Sequence, residues 1–222
     1  GTGIAWLVTM YSFPLRRMFQ WASLVPMAAP GYIVAYTYVD FLSYSGPLQS
    51  MLRAAMGWKT PQDYWFPEIR SLPGAILVMS MVLYPYVFLT ARASFIRQPA
   101  TQLEVARTLG QSEWGAFINV ALPLARPAIA VGVSLALMEC VNDIGAAGFF
   151  GVRTLTLGIY TTWLSQGNLG GAAQIAGVML IFVFALVWME RAARNRQAFV
   201  MPSQRSRIVR RIRLPGWRGW GA

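Results

Sequence analysis

Long apolar runs are the feature that most constrains the fold of this 222-residue chain. Three of them cover residues 72–95, 122–141 and 172–189, and the last contains no charged side chain. A helical membrane crossing takes about 20 mainly apolar residues, because each residue adds about 1.5 Å and the hydrocarbon core is about 30 Å thick. The chain is 56% hydrophobic and only 12% charged, which is more apolar than a soluble domain of this size.

Two further apolar segments bring the predicted number of spans to about five. One covers residues 21–42 and contains Pro26 and Pro30, which a membrane bundle can accommodate. The other covers residues 4–13, which is too short to cross, and the chain begins without Met. We therefore expect the sequence to start inside a helix whose beginning is missing. The predicted fold class is all-α, a polytopic membrane helix bundle.

The distribution of basic residues predicts the orientation of the bundle. When residues 99–123 are placed in the cytoplasm, 15 of the 19 Lys and Arg residues lie on that side. Cytoplasmic loops of membrane proteins carry such an excess. Nine of these residues are arginines between Arg191 and Arg218, so we expect residues 201–222 to be a basic cytoplasmic linker that touches anionic lipid. The high pI of about 10.7 has this local origin and does not indicate nucleic-acid binding.

The two outer loops differ in how much the sequence predicts. In residues 43–71, apolar side chains recur at helical spacing and predict a short amphipathic helix at the outer interface. These are Leu48, Met51, Leu52, Ala55 and Met56. The aromatic residues 64–66 suit the interface belt of a membrane protein. Residues 142–171 are rich in Gly, and their shape remains open between a re-entrant and an interfacial piece.

The predicted cytoplasmic loop, residues 99–123, is amphipathic and carries charge. Thr101 is placed to cap a helix, and Glu104 follows at the spacing of a capping box. Leu103, Ala106 and Leu109 then share one helical face.

Gly110 is expected to end this first helix or to allow a close approach, since small residues at Ala106 and Gly110 let another surface come near. A second short helix over residues 112–120 leads to Leu122 and Pro123 at the base of the next span. Such a helix can dock into a partner, although an ordinary interfacial helix has the same pattern.

The loop and several other motifs resemble the permease subunit of binding-protein-dependent ABC importers, specifically of the ferric-iron type. The family's loop reads Glu-Ala-Ala, three residues, Gly, nine residues, Ile, one residue, Leu-Pro; here Val105 replaces the first Ala and Val120 replaces the Ile. Further matching pieces are Ala5-Trp6-Leu7-Val8, Phe13-Pro14, YSGP at 44–47, Ile69-Arg70-Ser71, LYPYV at 83–87, LPLARP at 122–127, Leu137-Met138-Glu139 and Gly158-Ile159-Tyr160.

The resemblance implies the partners and the role of the chain. Residues 1–200 would be a partial transmembrane domain of the bacterial inner membrane, one half of a fused two-half permease. The loop would contact ABC ATPase subunits through Glu104, Ala106, Gly110, Leu122 and Pro123. ATP and Mg would be bound by the ATPase and no cofactor by this chain, while a periplasmic binding protein would deliver the substrate, implied to be ferric iron.

Polar residues within the spans are candidates for a translocation path. Glu139, Asn142 and Asp143 lie on one helical face near the outer end of the fourth span, and intramembrane acids are usually functional. Together with Tyr84 and Tyr86, which flank Pro85, they offer the oxygen ligands that ferric iron prefers. The alternative is that Glu139 and Asn142 bond neighbouring helices and that Asp143 caps the next turn. No metal site is assigned.

Several function classes are excluded or disfavoured. The sequence contains no GxxxxGK[ST] phosphate loop and no His, and its one Cys lies in a span, so we expect no catalysis by this chain alone. Permeases for thiamine, sulfate, molybdate or polyamines share the loop pattern and remain alternatives. A secondary transporter or an ion channel is the rival from another class, because neither needs an ATPase.

Overall fold

The computed structural model describes residues 1–195 and 212–213. The chain begins with α1 (Thr2–Met10), strand β1 (Tyr11–Ser12), α2 (Arg16–Ala22), a 3₁₀ turn (Val25–Ala28), α3 (Gly31–Leu42), α4 (Pro47–Met56) and a 3₁₀ turn (Pro61–Asp63). Next come α5 (Leu72–Arg97), α6 (Ala100–Thr108), α7 (Glu113–Ala116), a π-turn (Phe117–Ala121) and α8 (Leu122–Asn142). The chain continues with α9 (Ile144–Phe150), α10 (Leu155–Tyr160), a π-turn (Thr161–Ser165), α11 (Leu169–Asn195) and β2 (Ile212–Arg213), and β2 pairs in parallel with β1.

The three strongest apolar runs form long helices, as predicted. Among the described residues, three helical stretches are long and apolar enough to cross a membrane: Leu72–Arg97, Glu113–Asn142 and Leu169–Met189. The Leu169–Met189 stretch has only 6% of its most apolar part buried inside the chain. Its exposed side chains include Val178, Ile181 and Phe184, which suit contact with lipid or with another helix. The all-α membrane class is confirmed.

The second predicted span, residues 21–42, is wrong as a single crossing. The structure divides it into the end of α2, the 3₁₀ turn Val25–Ala28 and α3. Proline lacks the N–H that an α-helix needs, and the backbone of Pro30 has left the helical region at φ −56° and ψ 139°. The remaining α3 has 12 residues, which is about 18 Å and too short for a straight crossing.

The chain forms two compact units. The first contains residues 1–25, 84–137 and the described residues from 184 onward, and the second contains residues 26–83 and 138–183. In the first unit, the rings of Trp6, Phe95 and Phe117 form a buried aromatic cluster, with Trp6 centroids 5.3 Å from Phe95 and 4.9 Å from Phe117. Small residues from α8 complete this core: a Cβ at Gly132 would lie 2.7 Å from the Cα of Val87, so α5 and α8 touch along their backbones.

The second unit is centred on the contact between α3 and α9. Ala35 and Val39 of α3 are buried, as are Ala146 and Phe150 of α9. The rings of Tyr36 and Phe149 add an edge-on contact with centroids 5.4 Å apart. Because small side chains alternate with large ones, the two helices approach closely.

The predicted outer helix is confirmed as α4, although its buried residue is polar. Gln49 is 6% exposed, and its side chain donates to the Leu42 carbonyl at 2.7 Å and accepts from the Tyr64 hydroxyl at 2.6 Å. Met51 and Met56 point outward, 71% and 63% exposed. The helix is therefore fixed to its loop by hydrogen bonds, and its apolar side is free for the interface.

Candidate functional site

The first loop helix, α6, begins two residues earlier than the predicted capping box requires. Its N-cap is Pro99, and in the described part of the loop no side chain caps it. Thr101 is therefore already inside the first turn, where its hydroxyl cannot take the N-cap role, and Glu104 is exposed. The predicted pairing of Thr101 with Glu104 is wrong because the helix already begins at Ala100, with Pro99 at the N-cap.

The predicted apolar face of α6 divides into an inner and an outer part. Leu103 and Ala106 are each 6% exposed and pack into the core of the first unit, near Trp6 and Phe117. Leu109 is 78% exposed, because it is the residue at which the helix ends and its side chain leaves the inner face. Ala106 is thus small because it packs against this chain, and it is not itself an outward contact.

Gly110 ends α6, as predicted. Its φ is +81°, in the left-handed region that glycine adopts without strain. Its N–H donates to the Arg107 carbonyl at 3.0 Å, and the N–H of Gln111 donates to the Ala106 carbonyl at 3.1 Å. No described heavy atom lies within 4 Å of the position of an added Cβ. The glycine is therefore required by the backbone conformation and not by a close approach within the chain.

The second loop helix runs directly into the next span. The hydroxyl of Ser112 accepts from the Gly115 N–H at 3.1 Å and starts α7. The π-turn Phe117–Ala121 follows, in which the N–H of Leu122 donates to the carbonyl of Phe117 five residues before it. The predicted separate helix over residues 112–120 is thus the wide first part of one continuous helix, and π-turns of this kind are frequent at functional sites.

Two hydrogen bonds that the sequence did not predict hold the loop in place. The hydroxyl of Tyr11 donates to the carboxylate of Glu113 at 2.9 Å, and these residues are far apart in sequence. The side chain of Gln98 donates to the carbonyl of Ala121 at 2.9 Å. Neither pair has a local sequence signal, because each joins segments that only the fold brings together.

A groove of about 490 Å³ lies on the outside of the loop, between α6 and the start of α8. Of the predicted ATPase-coupling residues, Pro123 lies on this groove, whereas Leu122 is half-buried beside it. The groove is lined by Thr101, Gln102, Val105, Asn119, Val120, Pro123 and Leu124.

The predicted path residues of the second unit lie where α8 ends and α9 begins. Glu139 and Asn142 are exposed. Asp143 instead caps α9, where its Oδ1 accepts from the Ala146 N–H at 2.8 Å. Its other oxygen lies against Gly31 at the start of α3, where a Cβ would collide with it. The alternative that Asp143 caps the next turn is therefore correct. In the described residues, no group of three or more His, Cys, Asp or Glu side chains could hold a metal ion.

The predicted path residues Tyr84 and Tyr86 belong to the first unit. Both are half-buried, and Pro85 between them is fully buried. Although a proline removes one hydrogen bond of the ladder, α5 continues as one helix from Leu72 to Arg97. A role for the two tyrosines in a path remains a prediction.

The predicted basic linker, residues 201–222, lies outside the described residues except for β2. Ile212 pairs with Tyr11 and Arg213 with Ser12. The boundary at residue 200 and the lipid contact of the linker remain predictions.

Comparisons with known proteins give the chain its family. The family model described as "Binding-protein-dependent transport system inner membrane component" matches residues 1–198. The molybdenum transport system permease protein ModB of Escherichia coli (strain K12) is 26% identical over 206 residues, which is 88% of this chain and 86% of that protein. The sulfate transport system permease protein CysW of the same strain is 27% identical over 206 residues, which is 89% of this chain and 68% of that protein.

A solved structure supports the same fold. It is the crystal structure of a bacterial ABC transporter involved in the import of the acidic polysaccharide alginate, with a TM-score of 0.64 over 90% of this chain and 72% of that chain, at 16% identity. These two permeases are named for molybdenum and sulfate, so they do not support the ferric-iron part of the predicted resemblance. The chain belongs to the binding-protein-dependent inner membrane components of ABC importers, a multi-pass transport family of the inner membrane.

Proposed function

We propose that this chain is the permease of an ATP-driven importer for a tetrahedral oxyanion, molybdate or sulfate, and not for ferric iron. The observation that carries the proposal is the similarity, over 88% and 89% of this chain, to permeases named for molybdenum and sulfate. The chemistry of the predicted path agrees with it. Asp143 is engaged as a helix cap, so one of the hard oxygen ligands suggested for iron is already used.

Uptake by cells tests the substrate. A bacterial host that lacks its own sulfate and molybdate permeases would express this chain with its cognate ATPase and binding protein. We expect uptake of radiolabelled sulfate or molybdate that is absent without this chain, and no competition by ferric citrate. Uptake of ferric iron with no oxyanion uptake would overturn the proposal in favour of the iron permease.

We further propose that the partner ATPase docks on the outward side of residues 99–123. Val105, Leu109 and Trp114 are 55%, 78% and 67% exposed. The excess of Arg on the same side predicts that this loop faces the cytoplasm, where such exposed apolar side chains favour a protein partner. This surface would be flanked by Glu104, Gly110 and Pro123. Ala106 would pack beneath it. A second permease half or a second copy, and a periplasmic binding protein, would complete the transporter.

Co-purification with the ATPase tests the docking surface. Leu109→Glu places a charge in the centre of the proposed contact, and we expect the affinity for the ATPase to fall about tenfold or more. Leu155→Glu is the matched control, because Leu155 is an exposed leucine in α10 of the other unit. Equal association of both variants would remove the surface from consideration. If the unchanged chain transports substrate without any ATPase, the rival of a secondary transporter is correct.

A further inference from the structure

Gln98 is a polar side chain buried at the point where the long helix α5 gives way to the loop. It is 6% exposed, and its neighbour Phe95 is fully buried. Apolar residues dominate this core, so a glutamine there needs a reason beyond packing. Its position just before Pro99 and α6 places it at the first end of the loop.

The side chain of Gln98 reaches the other end of the same loop. Its Nε2 donates to the carbonyl of Ala121 at 2.9 Å, and Ala121 is fully buried at the last position of the π-turn. The bond therefore closes the whole loop on itself, from the end of α5 to the start of α8. A movement of α6 that displaces Gln98 at its base relative to α8 would carry this bond along or break it.

The amide oxygen of the Gln98 side chain has no hydrogen-bond partner among the described residues. This atom, Oε1, is buried. A buried acceptor without a partner is unfavourable, so the arrangement at Gln98 is not the best that this side chain can make. A polar side chain kept here at this cost is held by its one bond to Ala121.

The bond to Ala121 matters for movement because Ala121 is the last residue of the π-turn. This turn holds one residue more than an α-helical turn between Phe117 and Leu122. Conversion of this turn to an ordinary α-helical turn would rotate the preceding residues by about 100° relative to α8, since a helix has 3.6 residues per turn. Ala121 is the residue at this junction, and its carbonyl is the one that Gln98 holds.

We propose that Gln98 is a positioning residue that keeps the loop in register with α8 and so transmits the movement of α6 to this span through the π-turn. This inference rests on the proposed docking of the ATPase on the loop. Gln98 is not one of the proposed docking side chains; it acts through the carbonyl of Ala121. Its removal should therefore leave assembly intact while weakening the link between ATP hydrolysis and transport.

Spin-label distances test the register in this chain alone. In a Cys140→Ser background, labels at Thr108→Cys in α6 and Arg126→Cys in α8 are both on exposed positions. We expect a narrow distance distribution with Gln98 and a broadened one with Gln98→Met, which has a similar shape but no donor. The matched control is Gln166→Met at an exposed position of the other unit. An unchanged distribution in Gln98→Met overturns the inference.

Transport per ATP hydrolysed tests the consequence in the assembled transporter, in proteoliposomes with the cognate ATPase and radiolabelled sulfate or molybdate. With Gln98→Met we expect the ATPase to remain bound and the ratio of substrate moved to ATP hydrolysed to fall about fivefold or more. If Gln98→Met does not fold, Gln98→Asn replaces it, since this shorter amide stays polar but does not reach Ala121. An unchanged ratio overturns the inference. Failure of the unchanged chain to bind an ATPase would instead overturn the proposed function.

Discussion

At the scale of single residues, Asp143 shows how a predicted function gives way to a structural one. Its carboxylate accepts from the Ala146 N–H and lies against Gly31, so it serves the starts of two helices at once. The positive end of a helix favours such an anion. A charged residue in an apolar chain is thus explained here without a transported ion.

Two substitutions at Asp143 separate the two roles. Asparagine is as good an N-cap as aspartate, so Asp143→Asn should retain transport within about twofold and leave the melting temperature almost unchanged. Asp143→Ala removes the cap and should lower the free energy of unfolding by about 1 kcal/mol. Thermal unfolding in detergent and uptake in vesicles measure the two effects. A stable Asp143→Asn protein without transport would restore the path assignment.

Asp63 gives a residue-scale prediction about pH in the outer loop. Its carboxylate accepts from the Thr60 and Lys59 N–H groups, each at 2.8 Å, and from the Thr60 hydroxyl at 2.9 Å. These bonds, the one from the Thr60 N–H above all, hold the pKa of Asp63 below its usual value near 4. A depressed folded pKa means that the stabilising effect is present above the unfolded pKa and is lost as the pH falls through the folded pKa.

The local order of this turn should follow that pH dependence. We expect the amide hydrogens of Lys59 and Thr60 to be protected from exchange at neutral pH and to lose protection only below the unfolded pKa of Asp63. Asp63→Asn, which cannot ionise, should show no such transition. A transition at the same pH in Asp63→Asn would assign the effect to another group.

At the scale of elements, the sequence predicts helices that follow from a local apolar pattern. It does not predict features that depend on contacts between distant segments. The long helices α5, α8 and α11 follow from unbroken apolar runs, and α4 follows from helical spacing. The sequence misplaces the start of α6, because the spacing of Thr101 and Glu104 fits a capping box but does not itself fix where the helix begins. The π-turn and the Gln98 bond could not be predicted, because both depend on a helix junction that exists only in the fold.

The contact of α3 with α9 gives an element-scale prediction. Gly31→Ala would drive a methyl group into the carboxylate of Asp143, and overpacking of this kind lowers the free energy of unfolding by about 1–3 kcal/mol. Gly177→Ala is the matched control. This glycine lies in α11, and no described heavy atom lies within 4 Å of its added Cβ.

Because alanine has the higher helix propensity, Gly177→Ala should be neutral or stabilising. Melting temperatures of both variants in one detergent give the comparison. Equal destabilisation by the two would show that the α3–α9 contact does not set the stability of the second unit.

At the scale of the whole molecule, the distribution of basic residues predicts which loops lie on the cytoplasmic side of the membrane and which on the outer side. Even without Arg16 and Arg17, whose predicted side depended on a crossing over residues 21–42, the predicted cytoplasmic side holds 13 of the 19 Lys and Arg residues, including the strongly basic end of the chain. Both the loop of α6 and α7 and the outer helix α4 are exposed enough to report which side they occupy. The topology is therefore open to direct measurement.

Single cysteines in the Cys140→Ser background test the orientation. Thr108→Cys should react with a membrane-impermeant maleimide only after the membrane is opened to the cytoplasmic side. Ser50→Cys, at an exposed position of α4, should react from the outside in intact cells. Labelling of both positions from the same side would contradict the charge-based topology.

The break in the second apolar segment has a consequence for how the protein is made. As α3 leaves the ribosome, it has neither the length of a span nor its main packing partner, because α9 is synthesised about a hundred residues later. We expect α3 to stay at the membrane surface and to reach its final packing only when Asp143 and α9 have been synthesised. The second unit then completes its packing only after its last segment has been synthesised. A chain whose synthesis stops before α9 should therefore leave α3 accessible to proteases.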